Sequence, residues 1–290
     1  MTREFEPFVL EGILFEGSYT KEQILATQNF QGKSTDLHLT TYPRTGTTWT
    51  QNILIGLVYG VETLIDHEKF ELRELFPYME LNYRDGVIGY ELANQITRSP
   101  RMMKNHLPVH LAPKEIFTLK RKNIIVVRNP KDTALSLKKF YQTNPNLMMH
   151  LKSDKLEDFL DRFLEGNVLC GSWWEWTKNW LKHCRENPST NLVIHYEDLH
   201  SNFEGEIFKL ADFLQIERPN STTTCSLREL TSVNSMKARI EVHNDFKGKG
   251  LINKGEMHVW KNEFPAEFVE KFDKLTRETF ADDRIFERFI

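Results

Sequence analysis

Little in this sequence of 290 residues points to disulfide, metal or membrane chemistry. Its three cysteines, Cys170, Cys184 and Cys225, have neither the spacing of a metal site nor that of a disulfide framework. The longest apolar stretch, 53–61, is far shorter than the roughly 20 residues that span a bilayer, and the acidic N-terminal segment does not resemble a secretory leader. We therefore expect reduced thiols, a cytoplasmic location, no bound metal and no membrane partner.

An excess of positive charge is also missing, because 38 Lys and Arg face 41 Asp and Glu, which gives a net charge of −3. This balance argues against a general nucleic-acid-binding protein, which is normally basic overall. The sequence has no internal repeat, low-complexity segment or Pro/Gly-rich linker, and its length suffices for one large domain. We predict a single domain over residues 1–290, in which residues 1–35 form an irregular arm with one helix near 21–29.

The stretch 36–51, DLHLTTYPRTGTTWTQ, has the pattern of a strand, a short loop and the start of a helix. Pro43 ends the strand, Arg44 supplies a positive charge, and Gly46 allows a ligand to approach the backbone. An apolar helical pattern continues over 53–61, and free N–H groups at a helix N-terminus favour an anion such as phosphate. Hydroxyl groups would be added by Thr45, Thr47 and Thr48. An ordinary helix cap is the alternative, and the lysine of an ATP-binding P-loop is absent.

Strand and helix patterns alternate along the rest of the chain. Further strands are predicted at 101–107, 123–129 and 191–196, and helices at 155–166, 172–183, 199–214 and 266–280. The apolar run 124–127 is typical of a central strand that is buried on both faces. The helix at 172–183 carries four tryptophans that cannot share one face, so we expect one or two to be partly exposed. This order predicts an α/β fold with a central, mostly parallel sheet flanked by helices.

Charged residues at two further strand ends are candidate site residues. Arg128 ends the strand at 123–129, and a helix start follows at once, which is where open α/β sheets bind ligands. Lys104 and His106 lie two positions apart on another strand end, share one face and form a candidate catalytic pair. A lone histidine is more often structural, so this pair is a weak signal by itself. The glycine- and lysine-bearing segment 240–262 either closes over an anion or is a solvated loop.

Together these motifs resemble those of the cytosolic sulfotransferases, which transfer a sulfuryl group from 3′-phosphoadenosine 5′-phosphosulfate (PAPS). The resemblance covers about residues 35–275 and is carried by TYPRTGTTW (41–49), RMMKNHLP (101–108), VVRNPKDTALS (126–136), GSW (171–173), YEDL (196–199) and NKGEMHVWKNEF (253–264). It implies the P-loop-like sulfotransferase fold, PAPS as donor, its bisphosphate PAP as product, no metal, and a small acceptor with a hydroxyl or an amine.

The resemblance also implies a role for each matching residue. His106 would be the catalytic base, and Lys104 and Arg44 would be the catalytic cations. The donor would be bound by Arg44, Thr45, Gly46, Thr47, Thr48, Trp49, Arg128, Ser136, Tyr196, Thr231, Lys254 and Gly255. The acceptor pocket would be apolar and partly aromatic, lined by Tyr78, Leu81, Phe140 and Phe246. In-line transfer of this kind depends mainly on positioning and charge stabilisation.

Four departures from the family pattern affect these roles. Arg44 stands where the family has lysine, so stabilisation of the leaving group is expected to differ. Asn253 replaces an arginine, and the pair 258–259 replaces Gly-Asp, which removes one charged contact to the 3′-phosphate. Val233 stands where many relatives have a phenylalanine against the adenine. The segment 261–270 keeps the charged ends of the family's dimer motif but not its centre, so we expect a homodimer only in altered form.

Two other functions fit parts of the sequence. A protein that binds PAPS or PAP with weak or no catalysis is suggested by the changes at Arg44, Asn253 and Val233, whereas the intact Lys104 and His106 favour an enzyme. Another P-loop-type nucleotide transferase or kinase is opposed by the missing lysine and by the 3′-phosphate site that the resemblance implies. The acceptor is a phenol, a steroid, an aliphatic alcohol or an amine, and the sequence does not choose among them.

Overall fold

The computed structural model describes residues 7–15, 19–65, 71–83, 86–144, 155–240, 252, 254–281 and 283–290. Its strands are β1 (Phe8–Leu10), β2 (Ile13–Phe15), β3 (Leu37–Thr41), β4 (Met102–Asn105), β5 (Lys122–Val127) and β6 (Asn191–His195). The last four form a parallel sheet in the order β4-β3-β5-β6, with Leu39 opposite Lys104 on one side and Ile124 on the other. The predicted α/β class with a central parallel sheet is confirmed.

Helices cover both faces of this sheet, because parallel neighbours must be joined by crossover connections. They are α1 (Lys21–Gln28), α2 (Thr47–Tyr59), α3 (Glu62–Ile65), α4 (Leu72–Leu75), α5 (Gly89–Gln95), α6 (Lys114–Thr118), α7 (Pro130–Thr143), α8 (Leu156–Glu165), α9 (Trp173–Glu186), α10 (Tyr196–Ser201), α11 (Phe203–Leu214), α12 (Ser221–Leu230), α13 (Val233–Ile240), α14 (Trp260–Glu263) and α15 (Ala266–Thr279). A 3₁₀ helix covers Arg284–Arg288. The apolar pattern at 53–61 belongs to α2, which begins earlier than that pattern, directly after Gly46.

The central strand β5 divides the core into two layers. Ile124 and Val126 belong to an apolar cluster with α2 and α11, whereas Ile125 and Val127 belong to a second cluster with α7, α9 and α15. Adjacent residues of a strand face opposite sides of the sheet, so a continuous apolar run suits a strand that is covered twice. All four side chains are buried, as predicted.

The N-terminal arm is more regular than predicted. Besides α1, it contains the antiparallel pair β1–β2, in which Val9 lies opposite Leu14. The connecting residues Glu11 and Gly12 have φ values of 49° and 79°, and two left-handed residues make a turn that matches the twist of a hairpin. The prediction of an irregular segment was wrong for these residues, because they form a hairpin. Phe15, at the end of β2, is buried in the core.

The single helix predicted at 199–214 is two helices, α10 and α11. Asn202 separates them with φ −140° and ψ 58°, outside the helical region. Its side chain accepts a hydrogen bond from the N–H of Gly205 and so caps α11. Apolar periodicity continues across this break, which is why the prediction missed it.

All four tryptophans of α9 are buried, so the prediction that one or two would be partly exposed was wrong. The helix packs between the sheet and α15, and more than one of its faces is therefore covered. Trp174 Nε1 donates to α15 at 3.0 Å. Trp176 and Trp180 donate instead to the carbonyls of His106 and Leu107, at 3.1 and 3.2 Å. These two tryptophans hold the chain where β4 ends.

Candidate active site

The four parallel strands end at one edge of the sheet, and a predicted site residue follows each of them. β3 leads to Arg44, β4 to His106, β5 to Arg128 and β6 to Tyr196. The carboxyl ends of parallel strands share an edge, and ligands bind there in open α/β sheets. Folding therefore gathers residues that are far apart in the sequence.

The loop between β3 and α2 has the backbone of an anion site. Arg44 and Gly46 both lie in the left-handed region, with φ 73° and 103°, which is unusual for an arginine and typical of functional loops. A Cβ at Gly46 would lie 2.5 Å from the ring of Tyr196, so only glycine fits there. Gly46 also provides no side-chain cap for α2. The N–H groups of the first helical turn therefore suit a bound anion.

The three threonines of this loop are placed differently. Thr45 is buried, and its N–H and its hydroxyl both point to the carbonyl of Tyr42, at 3.4 and 2.8 Å. Thr47 Oγ1 lies 2.8 Å from Oγ1 of Thr41, and Thr48 is half-buried. Thr45 therefore uses both of its donors to shape the loop.

Arg44 and Arg128 make this edge strongly basic. Arg44 Nε donates to Oγ of Ser136 at 3.2 Å, and its guanidinium carbon lies 4.7 Å from the centroid of the Phe140 ring. Arg128 donates to the carbonyl of Arg44 at 3.2 Å and lies 4.3 Å from the ring centroid of Tyr196. Burial and the charge of Arg128 lower the pKa of Arg44 to about 10. The negative charge of a bound anion would favour the charged guanidinium and so oppose both effects on the pKa of Arg44.

The C-terminal loop lies against Arg128. A second guanidinium nitrogen of Arg128 donates to the carbonyl of Glu256 at 2.9 Å, and the hydroxyl of Tyr196 donates to the carbonyl of Gly255 at 3.1 Å. Lys254, the predicted cation of this loop, is exposed beside Gly255. Lys254 and Gly255, which are predicted to bind the sulfuryl donor PAPS, are thus brought next to Arg128 and Tyr196.

Asp132 fastens the same loop to the first turn of α7. Its carboxylate accepts the N–H groups of His258 and Trp260, at 2.7 and 3.2 Å. The two substituted positions 258–259 therefore do not break this attachment, because it uses main-chain donors. Phe246, a predicted pocket residue, and Asn253, one of the departures from the family pattern, lie outside the described residues.

Trp49 lies in the first turn of α2, next to other residues that are predicted to bind PAPS. Its Nε1 donates to Oγ1 of Thr231 at 3.3 Å. Its ring centroid lies 5.5 Å from that of Tyr196 and 4.5 Å from that of His200. Val233 lies against the C-terminal loop, within 2.7 Å of where a Cβ on Gly255 would stand. Trp49, Tyr196 and His200 thus form an aromatic group that contacts the guanidinium of Arg128 through Tyr196.

His106 is held in a single orientation. Its Nδ1 lies 2.7 Å from the carbonyl oxygen of Thr41, so we assign the ring proton to Nδ1. Nε2 then carries the lone pair and makes no hydrogen bond within the described part of the chain. The main-chain N–H of His106 donates to Oε1 of Glu80 at 2.6 Å, and its carbonyl accepts from Trp176. Both the ring and the backbone of His106 are therefore fixed.

Lys104 lies on β4 and completes the predicted pair. Its Nζ lies 4.5 Å from the centroid of the Tyr78 ring, and that ring lies 4.7 Å from the imidazole of His106. Burial lowers the pKa of Lys104 to about 8, against the opposing effect of Glu80. Burial lowers the pKa of His106 to about 3, and the charge of Lys104 adds to this effect. The imidazole is therefore neutral at physiological pH, as a general base must be.

Three of the four predicted acceptor-pocket residues lie next to these groups. Tyr78 contacts both members of the catalytic pair, and its hydroxyl lies 2.7 Å from the hydroxyl of Tyr19. Leu81 packs against the apolar cluster that contains Tyr78, and Phe140 lies under the arginine of the first loop. The fourth residue, Phe246, is outside the described residues.

Three contacts of the site escaped sequence reasoning. Thr41 fixes His106 through a main-chain carbonyl, which every residue has, so no sequence signal exists for it. Glu80 lies 26 positions before His106, and no local sequence pattern links the two residues. Asp132 stands in the first turn of α7, where an acidic residue complements the helix dipole, but its contacts with the C-terminal loop join distant parts of the chain.

The described residues contain no group of three or more His, Cys, Asp or Glu side chains that could hold a metal ion. Within the same part of the chain, no helix has the length and apolar character needed to cross a membrane. Cys170, Cys184 and Cys225 form no disulfide bond among the described residues, and Cys225 is the exposed one of the three.

Comparisons with known proteins identify the family. A model of the sulfotransferase domain matches residues 34–284. Sulfotransferase 2A1 of Mus musculus is 34% identical over 284 residues, covering 93% of this chain and 94% of its own. Sulfotransferase 2A2 of Rattus norvegicus is 32% identical over 282 residues, with coverage of 93% and 94%. Amine sulfotransferase of Oryctolagus cuniculus is 29% identical over 283 residues, with coverage of 94% and 90%. The chain therefore belongs to the sulfotransferase family.

Solved structures share the fold. Mouse sulfotransferase SULT7A1 complexed with PAP superimposes with a TM-score of 0.77 at 24% identity, covering 98% of this chain and 97% of that one. Retinol dehydratase in a complex with retinol and PAP gives a TM-score of 0.80 at 20% identity, with coverage of 98% and 93%. The predicted fold is confirmed by these likenesses. The predicted enzyme class, a PAPS-dependent sulfotransferase, is confirmed by the family to which the chain belongs.

Proposed function

We propose that this chain transfers a sulfuryl group from PAPS to a hydroxyl, or an amine, of a small and largely apolar acceptor, with His106 as general base. The observation that carries the proposal is the fixed imidazole, whose Nδ1 is committed to the carbonyl of Thr41. Nε2 is then the proton acceptor, on a ring that is neutral because burial lowers its pKa to about 3. A neutral, oriented base at the carboxyl edge of the sheet is the group that deprotonation of an acceptor requires.

The residues of this edge fit a donor with two anionic groups. Nε of Arg128 is buried and has no hydrogen-bond partner among the described residues, so a ligand oxygen would satisfy it. When bound, PAPS supplies an activated sulfuryl group on a phosphate leaving group. The phosphosulfate end would be held by Arg44, Gly46, Thr47, Thr48 and the first turn of α2, with Thr45 shaping the loop. The 3′-phosphate end would be held by Arg128, Ser136, Lys254 and Gly255, and the adenine would lie against Trp49, Tyr196 and Thr231.

His106 accepts the proton of the acceptor on Nε2 and keeps its Nδ1–H on the carbonyl of Thr41. The anchored main chain keeps Nε2 in place, and misplacement of a catalytic group by about 1 Å can cost a hundredfold in rate. Lys104 and Arg44 contribute positive charge, which stabilises the negative charge that develops during transfer. Their lowered pKa values show that each would gain from such a negative partner.

The acceptor site, location and assembly extend this proposal. Tyr78, Leu81 and Phe140 offer an apolar, partly aromatic surface, which suits a phenol, a steroid, an aliphatic alcohol or an apolar amine. One relative is named an amine sulfotransferase, and solved structures of the same fold contain retinol or androsterone. The free thiols support a cytoplasmic location. A homodimer through the altered segment 261–270 stays a prediction.

Replacing His106 tests the role of the base. His106→Asn keeps a side-chain N–H for the carbonyl of Thr41 but lacks the basic nitrogen. We expect a loss of about 10²–10⁴ in kcat with PAPS and a panel of phenols, steroids, alcohols and amines. His110→Asn is the matched control, because His110 is exposed on the surface, and it should keep full activity. PAP affinity, measured by calorimetry, should be unchanged in both variants.

Two results would favour other functions. Full activity of His106→Asn would contradict the role of the base. Wild-type PAP binding without turnover of any acceptor would favour a donor-binding protein, the function suggested by the changes at Arg44, Asn253 and Val233. ATP binding as tight as that of PAP would favour a nucleotide transferase or kinase.

A further inference from the structure

A buried carboxyl group lies directly beside the catalytic pair. Glu80 belongs to the segment between α4 and α5, which runs alongside β4. The N–H of Met79 donates to the carbonyl of Lys104 at 3.0 Å, and the N–H of Lys104 donates to the carbonyl of Pro77 at 2.9 Å. These two hydrogen bonds fix the position of Glu80 relative to Lys104.

The two oxygens of Glu80 have different surroundings. Oε1 accepts the main-chain N–H of His106 at 2.6 Å, immediately after the last residue of β4. It thereby satisfies a donor that the strand ladder no longer reaches. Oε2 is also buried and has no hydrogen-bond partner among the described residues, and the side chain as a whole is 1% exposed. A buried carboxyl group with one unsatisfied oxygen lowers the stability of the fold, so its presence calls for an explanation such as a functional role.

Titratable and charged groups surround this carboxyl on several sides. Lys104, on β4, acts on it through its charge, Tyr78 lies on the same segment, and the main-chain N–H of His106 donates to it. Arg44 and Tyr19 act on it indirectly, through Lys104 and through Tyr78 respectively. Lys104 is the positive charge that attracts Glu80, and the neutral imidazole does not compete with it.

We propose that Glu80 is a positioning residue for the catalytic pair: its carboxyl fixes the main chain of His106, and its ionisation keeps Lys104 protonated as the pH rises. This inference rests on the proposed function, in which His106 is the base and Lys104 supplies positive charge. It assigns Glu80 no contact with donor or acceptor.

The sign of the electrostatic effect follows from the two groups. Burial raises the pKa of Glu80 to about 8 and lowers that of Lys104 to about 8, so both groups are close to losing a proton in the same range. Loss of the Glu80 proton to solvent gives a carboxylate whose negative charge favours the protonated form of Lys104 at low dielectric. The pKa of about 8 for Lys104 already includes this negative charge and would be lower without it. The pair therefore releases one proton first and keeps Lys104 charged to higher pH.

Two substitutions separate the two parts of this role. Glu80→Gln keeps an oxygen that accepts the N–H of His106 but cannot ionise. We expect kcat within about threefold of wild type at pH 6.5 and an alkaline limb of kcat that moves down by about one pH unit. Glu80→Leu also removes the acceptor, and we expect kcat to fall about ten- to hundredfold with little change in the KM for PAPS.

Glu115→Gln is the matched control. Glu115 is a buried glutamate that also accepts a main-chain N–H, that of Gly32 at 2.6 Å, but it lies away from the catalytic pair beside His38 on β3. The alkaline limb of kcat in Glu115→Gln should coincide with that of wild type. An unchanged alkaline limb in Glu80→Gln, or a wild-type kcat in a folded Glu80→Leu, would overturn the proposal.

A spectroscopic readout makes the test independent of turnover. The amide proton of His106, followed by NMR, should titrate with a midpoint near pH 8 in wild type and stay constant in Glu80→Gln. A constant signal in wild type would contradict the ionisation of Glu80. If His106→Asn retained full activity while this titration persisted, the proposed base would be wrong and the Glu80 titration would stand.

Discussion

The two edges of the parallel sheet treat buried charge in opposite ways. At the amino-terminal edge, Asp36 accepts two hydrogen bonds from Arg101, and His38 lies 2.8 Å from Glu115. At the carboxyl edge, the arginine Arg128 donates to backbone carbonyls, and burial lowers the pKa values of the cations Arg44 and Lys104. At one edge these side chains are paired or hydrogen-bonded with each other, whereas the other edge concentrates positive charge.

This difference separates stability from function. A buried ion pair with complete hydrogen bonds contributes to a defined fold, and removal of one partner leaves a costly lone charge. Cations that rest on carbonyls, a hydroxyl and aromatic rings add little stability by themselves but lower the free energy of an anion that binds there. In the proposed function, the amino-terminal edge therefore holds the strands in place, and the carboxyl edge performs the transfer.

Substitutions at the two edges should differ most in their effect on the free energy of unfolding of the ligand-free protein. Asp36→Ala leaves Arg101 as a buried lone charge and should lower the free energy of unfolding by about 3–5 kcal/mol. Arg44→Met removes a cation that burial and Arg128 already disfavour, and it should change stability by less than about 1 kcal/mol. Urea denaturation measures both. A loss in Arg44→Met as large as that in Asp36→Ala would contradict the division between edges.

The pH dependence of stability should carry a contribution from His106. Its folded pKa, about 3, lies below the ordinary value of 6.5, so its contribution is complete above pH 6.5 and is lost as the pH falls toward 3. The slope is about 1.4 kcal/mol per pH unit within this window. His106→Asn should therefore lose less stability than wild type between pH 6.5 and 5. Parallel curves for the two proteins would show that the imidazole is not buried in its neutral form.

Asp132 should affect donor binding rather than the fold. Asp132→Asn keeps one acceptor for the N–H groups of His258 and Trp260 but loses the charge and the second acceptor. We expect PAP to bind about five- to tenfold more weakly, the equivalent of about one hydrogen bond. Asp212→Asn is the control, since Asp212 pairs with Arg218 on the surface. Equal PAP affinity in wild type and Asp132→Asn, measured by calorimetry, would mean that the C-terminal loop does not hold the donor.

Arg44→Lys should have the smallest effect. The guanidinium contacts both the hydroxyl of Ser136 and the ring of Phe140, and an ammonium group reproduces this planar fit only in part. We expect kcat/KM for PAPS to fall about three- to tenfold. A lysine variant as fast as wild type would show that arginine is merely tolerated at this position.

Local patterns accounted for much of the fold and of the donor site. Strand-to-helix junctions place Arg44, Gly46 and Arg128 through residues that are contiguous in sequence, so short motifs predict them. Contacts between distant segments carry no such signal. The carboxyl of Glu80 meets His106 only after the segment before α5 lies along β4, and the tryptophans of α9 are all covered only after α15 packs on them. Tertiary packing determines these features, so hydrophobic periodicity in the sequence could not predict them.

The central claim is that the carboxyl edge is built for a donor with two anionic ends. Calorimetric titration with PAP and with adenosine 5′-monophosphate, which lacks the 3′-phosphate, tests it most directly. Charge-assisted hydrogen bonds from Arg128 and its neighbours should make PAP bind about ten- to hundredfold more tightly. This difference should disappear in Arg128→Met. Equal affinities of wild type for the two nucleotides would contradict the claim.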